Sequence, residues 1–135
     1  MSEQKTILVV DDEPHVRILV SSRLQANGYK VVSAYGGTMA LDKVREQKPD
    51  LILLDMVMPD LSGYEVAKQL KANPDTMNIP IIIFTASNAK ELENKCRELG
   101  LNYIIMKPFS AEVLLAMVKE SLKLNKTVEA AGGEK

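Results

Sequence analysis

Residues 51–59 read LILLDMVMP, a run of four apolar residues followed directly by Asp55. A strand with one buried face alternates apolar and polar residues, whereas this run is apolar at every position. Short continuous apolar runs are typical of strands buried on both faces, as in a parallel sheet. The stretch therefore predicts a central parallel strand that ends in an aspartate.

Three further apolar runs have the same character, and a fourth is more mixed. The three lie at residues 7–10, 79–84 and 103–106, and the mixed run at residues 30–35 suits an edge strand. Pro80 lacks a backbone N–H, so we expect it at the start of its strand, where a missing ladder donor is tolerated.

Helical patterns with recognisable end signals separate these runs. The start signals are Pro14, the capping box of Ser62 and Glu65, the pair Asn88 and Glu91, and Ser110; the stop signals are Gly28, Pro74 and Gly100. Repeated strand–helix alternation implies an α/β fold with a parallel sheet and helices on both faces. We expect one domain over residues 1–125, and a polar, disordered tail over residues 126–135.

Composition excludes several classes of function. The formal net charge is -1, which gives no basic excess for binding nucleic acid. A single cysteine, Cys96, permits no internal disulfide and lies on an apolar helical stripe, so we interpret it as a core residue. The polar start and the short apolar runs indicate neither a signal peptide nor membrane insertion, so a cytoplasmic location is expected.

Acidic, hydroxyl and basic side chains follow the apolar runs. Asp11, Asp12 and Glu13 come after the first run, and Asp55, Thr85 and Lys107 each end another. Because parallel strands present their carboxyl ends at one edge of the sheet, these side chains are predicted to share a pocket. Clustered carboxylates favour a hard cation such as Mg2+, while a lysine and a hydroxyl beside it suit a phosphoryl group. A carboxylate can itself be the nucleophile, and Asp55 is the natural candidate.

The sequence resembles the receiver domain of two-component response regulators over roughly residues 5–124. The segments that carry the resemblance are Val9-Val10-Asp11-Asp12-Glu13, Leu53-Leu54-Asp55-Met56-Val57-Met58-Pro59, Ser62-Gly63, Phe84-Thr85-Ala86 and Lys107-Pro108-Phe109. The resemblance implies a flavodoxin-like, doubly wound (βα)5 sandwich, with five parallel strands in the order 2-1-3-4-5.

The resemblance also implies a role for each site residue. Asp55 would accept the phosphoryl group, and Mg2+ would be bound by Asp11, Asp12, Asp55 and the backbone carbonyl of Val57. Thr85 and Lys107 would contact the phosphoryl oxygens, and the peptide bond before Pro108 would be cis. The chain would modify itself rather than act as an enzyme on an external substrate.

The partners implied by the family are of two kinds. A sensor histidine kinase or a histidine phosphotransfer protein would donate the phosphoryl group. A downstream protein would bind the helix from Asn88 to Gly100, the strand from Tyr103 to Met106 and the helix from Ser110 to Leu124. One departure is Ile104, which occupies the usual position of the switch aromatic; Tyr103 is expected to point to the opposite face.

Two other functions stay open at this point. An aspartate-nucleophile phosphatase or phosphotransferase shares the sheet architecture, but it usually has a second aspartate where this chain has Val57. A flavodoxin-like cofactor binder needs a Ser/Thr/Gly-rich phosphate loop after the first strand. The segment Asp11-Asp12-Glu13-Pro14 would instead repel a phosphate unless a metal intervened.

Overall fold

The computed structural model describes residues 4–86, 90–101 and 103–133, with side chains as far as residue 123. Strands and helices alternate along these residues. In chain order they are β1 Thr6–Val10, α1 Pro14–Ala26, β2 Lys30–Ala34, α2 Gly37–Gln47, β3 Leu51–Asp55, α3 Gly63–Ala72, β4 Ile81–Thr85, α4 Lys90–Glu98, β5 Tyr103–Met106 and α5 Ala111–Gly133.

The strands form one parallel sheet in the order β2-β1-β3-β4-β5, which confirms the predicted fold class. The register pairs Val10 with Leu54 and Asp55 with Phe84, so β1, β3 and β4 end at the same edge. This alignment brings the loops after these strands together, as ligand sites in open parallel sheets require.

Two hydrophobic layers cover the sheet because alternate side chains of each buried strand point to opposite faces. One layer joins residues such as Leu8, Ile52 and Ile83 to α2, α3 and α4. The other joins Ile7, Leu53 and Phe84 to α1 and α5. Both faces of the central strands are therefore buried, which explains their continuous apolar runs.

The predicted end signals are confirmed at both ends of α1 and α3 and at the start of α5. Pro14 opens α1, and Gly28 follows its C-cap with a φ of 90°. Ser62 and Glu65 form both hydrogen bonds of the capping box at α3. The Ser110 hydroxyl accepts a hydrogen bond from the backbone N–H of Val113 at the start of α5. The predicted Asn88 cap of α4 lies outside the described residues.

Strand β4 begins at Ile81, later than the apolar run suggested. Pro80 precedes the strand, and its carbonyl accepts a hydrogen bond from the backbone N–H of Ile52 at 3.0 Å. Pro80 thus contributes its carbonyl as an acceptor just before the strand begins. This is the position predicted for it, because a missing N–H is tolerated there.

Helix α5 continues to Gly133. Residues 124–131 contain no proline and include Leu, Lys, Glu and Ala, which favour a helix. A domain boundary near residue 125 and the disorder expected for residues 126–135 stay predictions. Across the described ranges, no helix has both the length and the apolarity to cross a membrane.

Candidate functional site

Three carboxylates meet at the carboxyl edge of the sheet. Asp11 and Asp12 follow β1 directly, and Asp55 is the last residue of β3. One carboxylate oxygen from each of the three lies within 4.8 Å of the others. Asp11 is fully buried and Asp55 is 6% exposed, whereas Asp12 faces solvent. The cluster thus opens to solvent on the side of Asp12.

Lys107 closes the other side of this cluster. Its ammonium nitrogen Nζ lies 2.9 Å from Asp11 Oδ2 and 3.3 Å from Asp55 Oδ1. Glu13 Oε1 lies further away, at 3.6 Å from the same nitrogen. The backbone N–H of Lys107 donates to the carbonyl of Thr85 at 2.8 Å, which fixes the lysine beside the end of β4. The peptide bond between Lys107 and Pro108 is cis, as the resemblance implied.

The electrostatic state of Asp55 reflects its crowded surroundings. The pKa of Asp55 is raised to about 6, mainly by burial and then by the neighbouring charge of Asp11, while Lys107 opposes both effects. Burial alone would lower the pKa of Lys107, but its hydrogen bond to Asp11 and the charges of Asp55 and Asp11 outweigh burial and raise it. Lys107 is therefore a stable cation beside a carboxylate that ionises reluctantly.

The donor set fits a magnesium ion. All of the side-chain ligand atoms in the cluster are carboxylate oxygens, the type that this hard cation prefers. The single positive charge of Lys107 faces the three carboxylates of Asp11, Asp12 and Asp55. The raised pKa of Asp55 shows that Lys107 does not fully offset the cost of burying this carboxylate and its repulsion by Asp11. A divalent cation bound by these oxygens would relieve both.

Thr85 and Val57 lie next to the cluster without joining it through a direct contact. Thr85 ends β4 and is buried, and its hydroxyl donates to the carbonyl of Ala86 at 3.1 Å. Val57 lies two residues beyond Asp55, and its side chain is 59% exposed. A valine side chain has no ligand atom, so a metal at this position would have to be bound by the backbone carbonyl of Val57.

The loop between β3 and α3 is held close to Asp55. The backbone N–H of Met56 donates to the carbonyl of Phe84 at 2.9 Å, and its carbonyl accepts from the N–H of Gly63 at 2.8 Å. A Cβ atom at Gly63 would collide with the carbonyl oxygen of Asp55. Glycine at position 63 therefore permits the start of α3 to approach the backbone of the candidate phosphoacceptor.

Two residues that support the site were missed in the sequence. The Arg17 guanidinium donates from Nη1 to the carbonyl of Asp11 at 2.6 Å, which ties α1 to the end of β1. Asp60 accepts hydrogen bonds from the backbone N–H groups of Gly37 and Thr38, at the start of α2. The available signal for Asp60 was the Gly36-Gly37 sequence at a helix start, which offers no side chain for capping.

Cys96, Tyr103 and Ile104 behave as the sequence predicted, and His15 is an exposed residue of α1 whose Nε2 lies 3.6 Å from Glu13 Oε2. Cys96 is buried in the core, with its Sγ 3.8 Å from the Sδ of Met56, and burial followed by the charge of Glu93 raises its pKa to about 11. Tyr103 packs in the layer of α1 and α5 and Ile104 in the layer of α2 to α4, which confirms their opposite directions.

Comparison with known proteins identifies the family. The model of the response regulator receiver domain matches residues 7–119. The phosphate regulon transcriptional regulatory protein PhoB of Pseudomonas aeruginosa is 40% identical over 119 residues, which are 88% of this chain and 52% of PhoB. The chain thus spans about half the length of PhoB.

Solved structures agree in fold. The chemotaxis protein CheY4 of Vibrio cholerae superposes with a TM-score of 0.82 and 30% identity, over 88% of this chain and 99% of CheY4. A CheY-like receiver domain protein of Methanospirillum hungatei JF-1 gives a TM-score of 0.87 and 26% identity, over 93% of this chain and 98% of that one. The chain belongs to the response regulator receiver domain family of two-component signalling proteins.

Proposed function

We propose that this chain accepts a phosphoryl group on Asp55 and thereby switches its affinity for a partner protein. The donor would be a sensor histidine kinase or a histidine phosphotransfer protein, in the cytoplasm. The observation that carries the proposal is the placement of the Lys107 ammonium between Asp11 and Asp55, within a cluster of three carboxylates.

The chemistry follows from these positions. A carboxylate oxygen of Asp55 would attack the phosphorus of a phosphohistidine, forming an O–P bond while the N–P bond breaks and its electron pair returns to the imidazole. A pKa of about 6 leaves Asp55 largely ionised at neutral pH, as a nucleophile must be. Asp11, Asp12, Asp55 and the Val57 carbonyl would hold Mg2+, which supplies neutralising charge for the phosphoryl oxygens.

Lys107 and Thr85 would stabilise the product. Lys107 already contacts Asp55 through Oδ1, so its ammonium lies where a phosphoryl oxygen of the aspartyl phosphate would need a positive charge. Thr85 would rotate its hydroxyl from the Ala86 carbonyl toward that phosphoryl group. Because Ile83 pairs with Ile104 and Thr85 with Met106, such a movement would be transmitted to β5.

The surface formed by α4, β5 and α5 suits the downstream partner. Met106 on β5 is 54% exposed and Val113 on α5 is 50% exposed, and both are large apolar side chains. A protein that binds this surface more tightly in the phosphorylated state would read the signal, and by linkage would favour that state. The formal charge of -1 favours protein contact over direct binding to nucleic acid.

A protein that donates the phosphoryl group has to contact the surface around the pocket. A groove of about 370 Å³ borders Lys107 there, and its apolar walls are Val16, Leu19, Pro108 and Phe109. Leu19 is an exposed large apolar residue, which is the kind of side chain that anchors a protein interface. The groove therefore supports approach of the donor from the side of α1.

The alternative of an aspartate-nucleophile enzyme has less support. Position 57 carries valine, so the general acid that such enzymes place two residues after the nucleophile is missing from that position. We therefore infer a phosphoacceptor that catalyses only its own phosphorylation and dephosphorylation.

Incubation with Mg2+ and acetyl phosphate, followed by intact mass and site mapping, tests the proposal. The wild-type chain should gain one phosphoryl group on Asp55, and Asp55→Asn should gain none. Asp75→Asn, which changes an exposed aspartate elsewhere, should label like the wild type. Equal labelling of Asp55→Asn would refute the assignment of the phosphoacceptor.

A further inference from the structure

Asp60 joins the loop after β3 to the start of α2. Its Oδ1 accepts a hydrogen bond from the backbone N–H of Gly37 at 3.0 Å, and its Oδ2 accepts one from Thr38 at 2.9 Å. The helix supplies no such acceptor itself, because Gly36 occupies the N-cap and the first turn, all within the described residues, has no acidic side chain. Asp60 therefore performs the capping from 23 positions away.

The fit between the two segments is tight. A Cβ atom at Gly36 would lie 3.0 Å from Asp60 Oδ1, and one at Gly37 would lie 2.6 Å from the Cβ of Leu61. The two backbone N–H groups, Thr38 first and Gly37 second, hold the pKa of Asp60 well below its usual range. The carboxylate is thus an anion fixed across the end of the helix rather than a freely moving surface group.

The same loop carries the candidate carbonyl ligand. Its inner end is fixed by the hydrogen bonds of Met56 to Phe84 and Gly63, and Met58 is buried. Val57 lies between these two residues with an exposed side chain, so its side chain does little to fix the direction of its carbonyl. Beyond Met58, the two hydrogen bonds of Asp60 tie the loop to α2, and Leu61 packs against the core.

We propose that Asp60 is a positioning residue for magnesium: by fixing the loop to the first turn of α2, it holds the Val57 carbonyl where the cation binds. This inference rests on the proposed function. A loop already held in place loses less conformational freedom when its carbonyl becomes a ligand. Residues that orient metal ligands commonly change metal affinity when they are replaced.

The coupling has to be reciprocal. If Asp60 favours the loop conformation that binds Mg2+, then Mg2+ favours the conformation in which Asp60 caps α2. Binding of Mg2+ should therefore slow hydrogen exchange at the backbone amides of Gly37 and Thr38. A contact that only stabilised α2 would leave these amides unaffected by the metal.

Calorimetric titration with Mg2+ tests the inference on the folded, full chain. Asp60→Ala should raise the Mg2+ dissociation constant by about tenfold. Asp60→Asn, which keeps one acceptor oxygen, should give an intermediate value. Asp50→Ala is the matched control, because Asp50 Oδ2 also accepts a backbone N–H, from Thr6 at 2.8 Å, at the opposite edge of the sheet. It should leave the dissociation constant unchanged.

Hydrogen exchange supplies the second measurement. Mg2+ should slow exchange at Gly37 and Thr38 in the wild type and in Asp50→Ala, and should lose this effect in Asp60→Ala. If Asp60→Ala does not fold, Asp60→Asn decides by the same two measurements. Wild-type Mg2+ affinity in the Asp60 variants, or equal weakening by Asp50→Ala, would overturn the inference. A wild-type chain that binds no Mg2+ would overturn the proposed function itself.

Discussion

The Lys107 ammonium lies 2.9 Å from Asp11 Oδ2, although 96 positions separate the two residues in the chain. Asp11 is fully buried at the end of β1, and Lys107 follows β5 at the far side of the sheet. The lysine side chain therefore reaches across the ends of the two intervening strands, β4 and β3, of which β3 carries Asp55. This contact gives the pocket its positive charge and one of its boundaries.

Asp55→Asn should stabilise the metal-free protein at neutral pH. The pKa of Asp55 in the folded chain, about 6, lies above its usual value of 3.8, so ionising this group lowers stability as pH rises between about 4 and 6. Removing the charge should raise the free energy of unfolding in urea by about 1–3 kcal/mol at pH 7.

The effect of magnesium on this variant provides the control. Mg2+ should stabilise the wild type, since it binds the folded state, and should stabilise Asp55→Asn much less. At high Mg2+ the wild type should therefore become as stable as Asp55→Asn, or more stable. An Asp55→Asn variant less stable than the wild type without metal would contradict the electrostatic account.

Magnesium affinity should depend on pH through Asp55. Below about pH 6 a proton competes with the metal for this carboxylate, so the Mg2+ dissociation constant should increase by up to tenfold for each further unit of acidification. Titrations in buffers with different ionisation enthalpies would count the protons released. An affinity that is constant between about pH 5 and pH 7 would show that Asp55 is not a ligand.

Much of this arrangement could be predicted from the sequence, because most of the site residues end a strand or follow one directly. Asp11, Asp55, Thr85 and Lys107 follow apolar runs, and parallel topology alone brings them to one edge. Asp60 could not be predicted in this way, because it lies in a loop and caps a helix 23 positions earlier. No local pattern specifies a hydrogen bond between distant segments.

The extent of α5 could not be predicted for a different physical reason. Residues 126–133 combine polar side chains with good helix formers, so their composition alone does not decide between a helix and a disordered tail. A helix that has already begun extends at little cost, because each added residue gains a hydrogen bond without a new nucleation step.

Lys107→Ala should destabilise the metal-free protein and change its response to magnesium. Removal of the ammonium leaves buried Asp11 without its cationic partner, which should lower the free energy of unfolding by about 3 kcal/mol. Mg2+ should then stabilise the variant more than it stabilises the wild type, since the metal replaces the missing charge. Lys119 is an exposed lysine on α5, and Lys119→Ala should unfold in urea like the wild type both without and with Mg2+.

Gly63→Ala should disturb the site through the backbone of Asp55. The added methyl would collide with the Asp55 carbonyl, a backbone atom that cannot move aside as a flexible side chain could. We expect a loss of about 1–3 kcal/mol in unfolding free energy together with a weaker affinity for Mg2+, because the strand end that carries the proposed phosphoacceptor has to shift. Gly100→Ala is the comparison: its φ of +88° is unfavourable for alanine, but no atom lies within 4 Å of the added Cβ. It should cost about 1 kcal/mol and leave the Mg2+ dissociation constant unchanged. Equal metal affinity in Gly63→Ala and the wild type would show that the close approach of α3 to Asp55 has no influence on the site.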